Sequence, residues 1–105
     1  MFNFLKELLS GGEKSNLKKI IDDGAFLVDV QSPAEFAQGS VRGSVNIPVD
    51  QIEHQLSRFR DKAHIVVFCR SGMRSNQAKK ILERNGIPNV SNGGTWNQIN
   101  QILNS

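Results

Sequence analysis

Residues 64–68, which read HIVVF, are the most restrictive stretch of the chain because four apolar side chains, three of them β-branched, follow His64 without interruption. Runs of this length are typical of strands that are covered on both faces. Other apolar runs occur at residues 25–30 and 44–49, and a helical pattern follows each of the three. This alternation predicts an α/β fold, with a mainly parallel central sheet and helices on both faces.

The first helix after a predicted strand is marked by signals at both ends. Ser32 suits the N-cap, Pro33 suits the first helical position, and Glu35 stands at the capping-box position. Gly39 is expected to end this short helix.

Further elements are predicted along the rest of the chain. Acidic residues at 50 and 53 can cap a helix that runs to about residue 59. A longer helix is predicted from about residue 75 to residue 85, with a glycine just after it. Residues 89–92 are predicted as a last short strand and the glycines at 93 and 94 as a turn, after which Trp96 opens a final helix.

Residues 1–14 are predicted to form an N-terminal helical extension, and residues 15–105 a single domain. Apolar side chains in the extension suit one face of a helix that packs on the domain, rather than a membrane anchor. The segment 11–15 predicts a break before a second helix near residues 16–23. No secretory signal and no apolar run of transmembrane length is found in the sequence, so no membrane association is predicted.

The charge pattern bears on the partners of the chain. The net charge is +3 and the pI is about 9.4, with basic residues spread along the sequence and no tyrosine. Because the aromatic residues do not interleave with Lys and Arg as in a base-stacking platform, nucleic acid binding is not predicted. A mildly positive field suits a small anionic substrate.

Cys69 is the single cysteine of the chain. It can form neither an intrachain disulfide nor a cysteine zinc cluster, and the expected location is a reducing compartment, the cytoplasm. Neither a metal nor a cofactor is predicted.

The residues around Cys69 point to a chemical role. Cys69 directly follows the strand at 64–68, at the end where parallel sheets bind their ligands. Five residues that would surround a bound anion come next: Arg70, Ser71, Gly72, Met73 and Arg74. The N–H groups of a sharp turn, the start of a helix and two guanidinium groups all favour a thiolate over a thiol. We therefore expect Cys69 to be a nucleophile.

A buried cysteine can also be a small hydrophobic residue of the core. Two arginines and a glycine within five positions argue against that interpretation. His54 lies in a predicted surface helix and His64 at the opposite end of the strand, so neither is placed to act as a base. Activation by the loop alone suits anionic substrates whose leaving groups depart without strong acid help.

Three segments, FLVDVQSPAEFAQGSVRGSVNIP, IVVFCRSGMRS and VSNGGTW, resemble those of single-domain rhodaneses, and the resemblance extends over residues 15 to 104. It implies a rhodanese-like domain over residues 15–105 and thiosulfate sulfurtransferase activity. Cys69 would take the outer sulfur of thiosulfate, or of another sulfane-sulfur donor, as a persulfide and pass it to cyanide or a thiol acceptor. Residues 70–74 would bind the substrate, with the head group of Arg74 folded over the loop.

The chain departs from the family pattern at two positions near the predicted loop. Gln31 stands where family members often carry Arg, and Ser40 stands where they often carry His. Asp29 is interpreted as the centre of a polar network, with Arg42 as a partner, rather than as an acid or base. Trp96 is interpreted as a core residue rather than a substrate contact.

Other functions stay open at this point. Tyrosine phosphatases, and with them arsenate reductases, use a Cys-to-Arg loop that in the phosphatases holds five intervening residues, whereas four stand between Cys69 and Arg74. The shorter loop fits a sulfur atom better than a tetrahedral phosphate. A persulfide carrier or interaction module that delivers sulfur to a protein partner would use the same chemistry at Cys69 as a small-molecule enzyme.

Overall fold

A computed structural model describes residues 11–104, so residues 1–10 of the predicted N-terminal extension lie outside the described residues. The first described helix, α1, spans Gly11–Asp22. The predicted break at residues 11–15 is therefore wrong: these residues are helical. Leu17 of α1 is buried in a hydrophobic cluster, and such packing overrides the weak preference of glycine against helix. The domain boundary at residue 15 stays a prediction.

Four parallel strands form the sheet, as the sequence predicted. They are β1 (Phe26–Asp29), β2 (Val45–Asn46), β3 (Ile65–Cys69) and β4 (Val90–Thr95), in the spatial order β2-β1-β3-β4. The three remaining α-helices are α2 (Pro33–Gln38), α3 (Met73–Arg84) and α4 (Trp96–Leu103). Every helix within residues 11–104 is too short or too polar to cross a membrane.

Helices cover both faces of the sheet, which confirms the predicted architecture. All five residues of β3 are buried, and their side chains alternate between two hydrophobic clusters. On one face, Val67 packs in the same cluster as Leu82 of α3. On the other face, Phe68 packs with Leu17 of α1 and Ile99 of α4. The strand that carries Cys69 is therefore a fully buried central element between two helical layers.

The capping signals of α2 are confirmed. The side chain of Ser32 accepts a hydrogen bond from the backbone N–H of Glu35 at 3.3 Å, and the backbone N–H of Ser32 donates to Glu35 Oε1 at 2.8 Å. Gly39 is the C-cap residue of this helix. The reciprocal cap fixes the carboxylate of Glu35 at the amino end of α2.

The segment after β2 differs from the prediction. Residues Val49–His54 and Leu56–Arg58 form 3-10 helices rather than one α-helix, and Pro48 occupies the N-cap position without a side-chain hydrogen bond. Acidic residues early in a helix do not distinguish the two helix types, because both types leave their first N–H groups unpaired. Tight turns suit this segment because Ile52 and Phe59 both reach the core.

The glycines at 93 and 94 lie within β4 rather than in a turn. Val67 pairs with Asn92 while Phe68 pairs with Gly94, so one extra residue forms a β-bulge. Gly94 has a φ of +81°, a conformation that favours glycine. The two glycines correctly indicated where the backbone changes direction. They did not indicate how, because glycines occur in β-bulges as well as in turns.

Candidate active site

The predicted strand, loop and helix around Cys69 lie in that order along the chain. β3 ends at Cys69, and α3 begins at Met73, two residues earlier than predicted. Gly72 is the N-cap of α3 and has a φ of +93°, which lets three residues join the two elements. The loop therefore returns directly over the end of the strand.

The structure places the six predicted site residues in different environments. Cys69 has no exposed surface, and Gly72 is also buried. Arg70 and Ser71 are exposed on the loop, and Met73 is 70% exposed on the first turn of α3. The thiol therefore lies beneath a loop whose polar side chains face outward.

The sulfur of Cys69 contacts two groups of the loop and of α3. The backbone N–H of Gly72 donates a hydrogen bond to Sγ at 2.9 Å, so one loop amide rather than a ring of amides faces the sulfur among the described contacts. The hydroxyl oxygen of Ser75 lies 3.7 Å from Sγ, where a thiol can donate to it. The first turn of α3 adds its partial positive charge near the same atom.

Ser75 is a buried contact of the thiol that the sequence analysis missed, because it was interpreted only as a helix start. Its hydroxyl lies 2.8 Å from Asn92 Oδ1 and 3.0 Å from the carbonyl oxygen of Gly72. The same Asn92 oxygen also accepts from the backbone N–H of Gly94 at 2.9 Å. The β4 bulge thus positions the hydroxyl group that lies beside the sulfur.

The guanidinium of Arg74 pairs with a carboxylate rather than folding over the sulfur. Arg74 donates two hydrogen bonds to Glu35, at 2.7 Å and 3.1 Å. These bonds, together with the cap at Ser32, lower the pKa of Glu35 to about 2, and the carboxylate raises the pKa of Arg74. Glu35 was predicted only as a capping residue; its partner is 39 residues away, so no local signal reveals the pair.

The polar network around Asp29 is complete despite the two departures from the family pattern. Asp29 is fully buried, and its carboxylate accepts from the backbone N–H of Gln31 at 2.9 Å, from Gln31 Nε2 at 2.7 Å and from the hydroxyl of Ser40. The same Gln31 Nε2 donates to the carbonyl oxygen of Gly39 at 3.1 Å. Arg42 is exposed, so its predicted partnership with Asp29 is wrong: neutral donors satisfy the carboxylate.

Trp96 packs in part against the hydrophobic cluster on the α1 and α4 side of the sheet, as predicted. It also lines a cavity of about 170 Å³ together with Arg70, Gln31 and other polar residues. The side chain thus stands between the core and the surface beside the loop.

Two larger grooves flank Arg74, with volumes of about 550 Å³ and 540 Å³. The first is lined by the segment after β1 and the start of the 3-10 region, and the second by the outer side of α3. His54 and His64 are both exposed and make no described contact with Cys69. Within the described residues, no three His, Cys, Asp or Glu side chains are grouped so that they could hold a metal ion.

Comparison with known proteins identifies the family of the chain. The family model described as a rhodanese-like domain matches residues 13–95. Thiosulfate sulfurtransferase PspE of Escherichia coli is 36% identical over 74 residues, which cover 69% of this chain and 71% of that protein. A sulfurtransferase of Allochromatium vinosum is 36% identical over 70 residues, which cover 67% of this chain and 65% of that protein.

A solved structure of a sulfurtransferase has a similar fold. The human single-domain sulfurtransferase TSTD1 superposes with a TM-score of 0.68 at 27% identity, over 83% of this chain and 91% of that one. Across four curated relatives, this chain spans between 54% and 71% of the relative's own length.

Proposed function

The chain belongs to the family of rhodanese-like domains, and from this premise we propose that it transfers the outer sulfur of thiosulfate, or of a similar sulfane-sulfur donor, through a persulfide on Cys69. Cyanide or a thiol is the acceptor of the second step. The names of its relatives support sulfur transfer in general. The donor, the acceptor and a cytoplasmic location are part of the proposal.

One observation carries the proposal: the only thiol of the chain ends a central strand, with the Gly72 N–H 2.9 Å from its sulfur and a helix beginning beside it. A hydrogen bond from an amide to sulfur favours the charged form, and the thiolate is the nucleophile. No histidine is needed, because sulfite is a leaving group that departs as an anion.

The first step exchanges one S–S bond for another. The Cys69 thiolate attacks the outer sulfur of thiosulfate, the S–S bond of thiosulfate breaks, and sulfite leaves with the electron pair. The product is a Cys69 persulfide anion, so two negative charges leave on sulfite and one remains on the protein. The Gly72 N–H and the amino end of α3 then lie beside the charged sulfur and stabilise it.

Access to the sulfur requires movement of the loop, since Cys69 has no exposed surface. Arg70 and Ser71 are the exposed residues of the three that cover it. The exposed guanidinium of Arg70 attracts the dianionic donor to the place where the loop opens.

Mass spectrometry after incubation with thiosulfate tests the proposal. We expect the intact protein to gain one sulfur atom, the gain to map to Cys69, and cyanide to remove it with formation of thiocyanate. Cys69→Ser, checked by circular dichroism, is the matched control and should gain nothing. Failure of the folded wild-type protein to acquire sulfur would refute the proposed function.

A Cys-dependent phosphatase or arsenate reductase is the weaker candidate. Four residues between Cys69 and Arg74 make a smaller loop, and the guanidinium that would hold a phosphate is bound by Glu35. Assay with p-nitrophenyl phosphate alongside the thiosulfate assay separates the two activities.

A further inference from the structure

The outer side of α3 forms an open groove that thiosulfate chemistry does not require. Positions 73, 76, 77 and 80 are three or four residues apart and therefore lie on one side of the helix. This side is exposed, whereas the opposite side, which includes Ala78 and Leu82, is buried against the sheet. We call the surface lined by residues 73, 76, 77 and 80, together with Ser71 and Arg74, the α3 groove.

Met73 is an apolar contact point at the end of the α3 groove nearest the thiol. It is 70% exposed, and among the residues that the structure describes it is the large hydrophobic side chain left exposed. Methionine is flexible and polarizable, so it adapts to varied partner surfaces. Met73 directly follows Gly72, whose N–H donates to the Cys69 sulfur, so a partner side chain in contact with Met73 would lie beside the loop that covers the thiol.

The α3 groove is positively charged at the end away from the loop. Lys80 lines this end, is exposed and forms no ion pair within residues 11–104. The remaining cation, Arg74, is already paired with Glu35. Met73 and Lys80 are seven residues apart, or about 10 Å along the helix axis. The groove therefore offers an apolar contact next to Gly72 and, two turns away, a cation that is unpaired among the described residues.

The α3 groove has room for a ligand larger than thiosulfate. Its volume is about 540 Å³, within the range of roughly 300–1,000 Å³ that is typical of pockets for drug-sized ligands. Thiosulfate has only five non-hydrogen atoms. A peptide segment of a few residues fits both the length and the volume.

We propose that the α3 groove docks an acidic segment of a protein that carries the acceptor thiol of the second step. This inference rests on the proposed function, because it names the acceptor for the persulfide of Cys69. An apolar side chain of the partner lies on Met73, and a carboxylate lies at Lys80. The acceptor thiolate attacks the outer sulfur of the persulfide, the S–S bond to Cys69 breaks, Cys69 leaves as a thiolate with the electron pair, and the acceptor departs as a persulfide.

Transfer from the loaded protein to defined acceptors tests the inference. The protein is loaded with thiosulfate, desalted, checked by mass spectrometry and mixed with one of three thiols. These are a hexapeptide with one cysteine, one leucine and three aspartates, the same peptide with lysines in place of the aspartates, and β-mercaptoethanol. The rate of sulfur loss from Cys69 is measured at low and high salt for the wild type, for Lys80→Glu and for Lys19→Glu, an equal charge change on α1 across the sheet.

We expect the acidic peptide to accept sulfur about tenfold faster than the lysine peptide at low salt, with the ratio falling as salt is raised. Lys80→Glu should remove or reverse the preference, whereas Lys19→Glu should keep it, and both variants should react with β-mercaptoethanol as the wild type does. Equal rates for the two peptides, or a preference that survives Lys80→Glu, would overturn the docking proposal while the loaded persulfide upholds the proposed function. If Cys69 gains no sulfur, the proposed function and the docking proposal fail together.

Discussion

Arg74, at the start of α3, donates two hydrogen bonds to Glu35, near the start of α2. These bonds connect the helix that follows the Cys69 loop to the helix that follows β1. Glu35 also accepts from the backbone N–H of Ser32, so its carboxylate is held from two sides. The pair neutralises the charge of Arg74, whereas Arg70 is exposed and forms no ion pair with the residues from 11 to 104. The two arginines of the loop therefore have different physical roles.

The Glu35 carboxylate should make stability depend on pH in a defined window. Its pKa is lowered in the folded protein from an ordinary value of 4.5 to about 2, chiefly by the hydrogen bond from Arg74. Between these values the unfolded chain binds the proton and the folded chain does not, so stability rises with pH there. The contribution is complete above about pH 4.5 and is lost as pH falls toward 2.

Urea unfolding of Glu35→Gln at several pH values checks this expectation. The variant should unfold at lower urea than the wild type at pH 7, and the difference should shrink as pH falls through the window. Glu83→Gln, which breaks the exposed pair with Lys79, is the matched control and should have a smaller effect. A difference between wild type and Glu35→Gln that stays constant from pH 7 to pH 2 would contradict the assignment.

The two loop arginines should respond differently to salt. Arg70→Ala should lower kcat/KM for thiosulfate about tenfold at low ionic strength, because an exposed cation acts by steering the anion, and the defect should shrink near 1 M salt. Arg70→Lys keeps the charge and should retain most of the activity. Arg74→Ala should lower activity at all salt concentrations, since it releases the loop from Glu35. Equally salt-sensitive defects in the two alanine variants would show that both arginines act only through long-range attraction.

The sequence predicted the elements whose signals are local. Continuous apolar runs and the Ser32–Glu35 capping box depend on neighbouring residues, and they give the strands and α2 within a few positions. The 3-10 region and the β4 bulge were missed because the same residues satisfy more than one backbone geometry. The contacts between residues far apart in sequence depend instead on the order of the strands in the sheet.

The pair of Glu35 with Arg74 and the contact of Ser75 with Asn92 join residues far apart in sequence. They exist because β1 lies beside β3, and β3 beside β4, in the parallel sheet. A strand order is needed before either contact can be inferred. The candidate nucleophile, Cys69, could be proposed without a strand order, because its loop is continuous in sequence.

Asp29→Asn should reduce stability without preventing sulfur loading. The carboxylate accepts hydrogen bonds from the backbone and side chain of Gln31 and from the hydroxyl of Ser40. An amide has only one acceptor oxygen, so its NH₂ group would face a donor, at a cost of about 1–3 kcal/mol. Urea unfolding measures this loss, with exposed Asp50→Asn as the control. Lost sulfur loading at unchanged stability would instead assign Asp29 to the chemistry.

Gly39→Ala should displace Trp96 and report on the cavity beside Arg70. An added Cβ would lie 2.9 Å from Trp96 Cη2 and 3.1 Å from Cζ2, closer than packed carbon atoms approach, so the indole ring must move. The backbone at Gly39 is extended, with a φ of 163°, and alanine adopts it without strain. Overpacking of this kind costs about 1–3 kcal/mol.

The single tryptophan makes the displacement visible by fluorescence. We expect Gly39→Ala to shift the emission maximum and to change quenching by iodide, together with a lower urea midpoint. Gly43→Ala is the matched control, because Gly43 has a φ of +85° and open space around the added carbon. It should lose about 1–2 kcal/mol through backbone strain while leaving the emission unchanged. Identical emission spectra for Gly39→Ala and the wild type would show that Trp96 does not pack against Gly39 in solution.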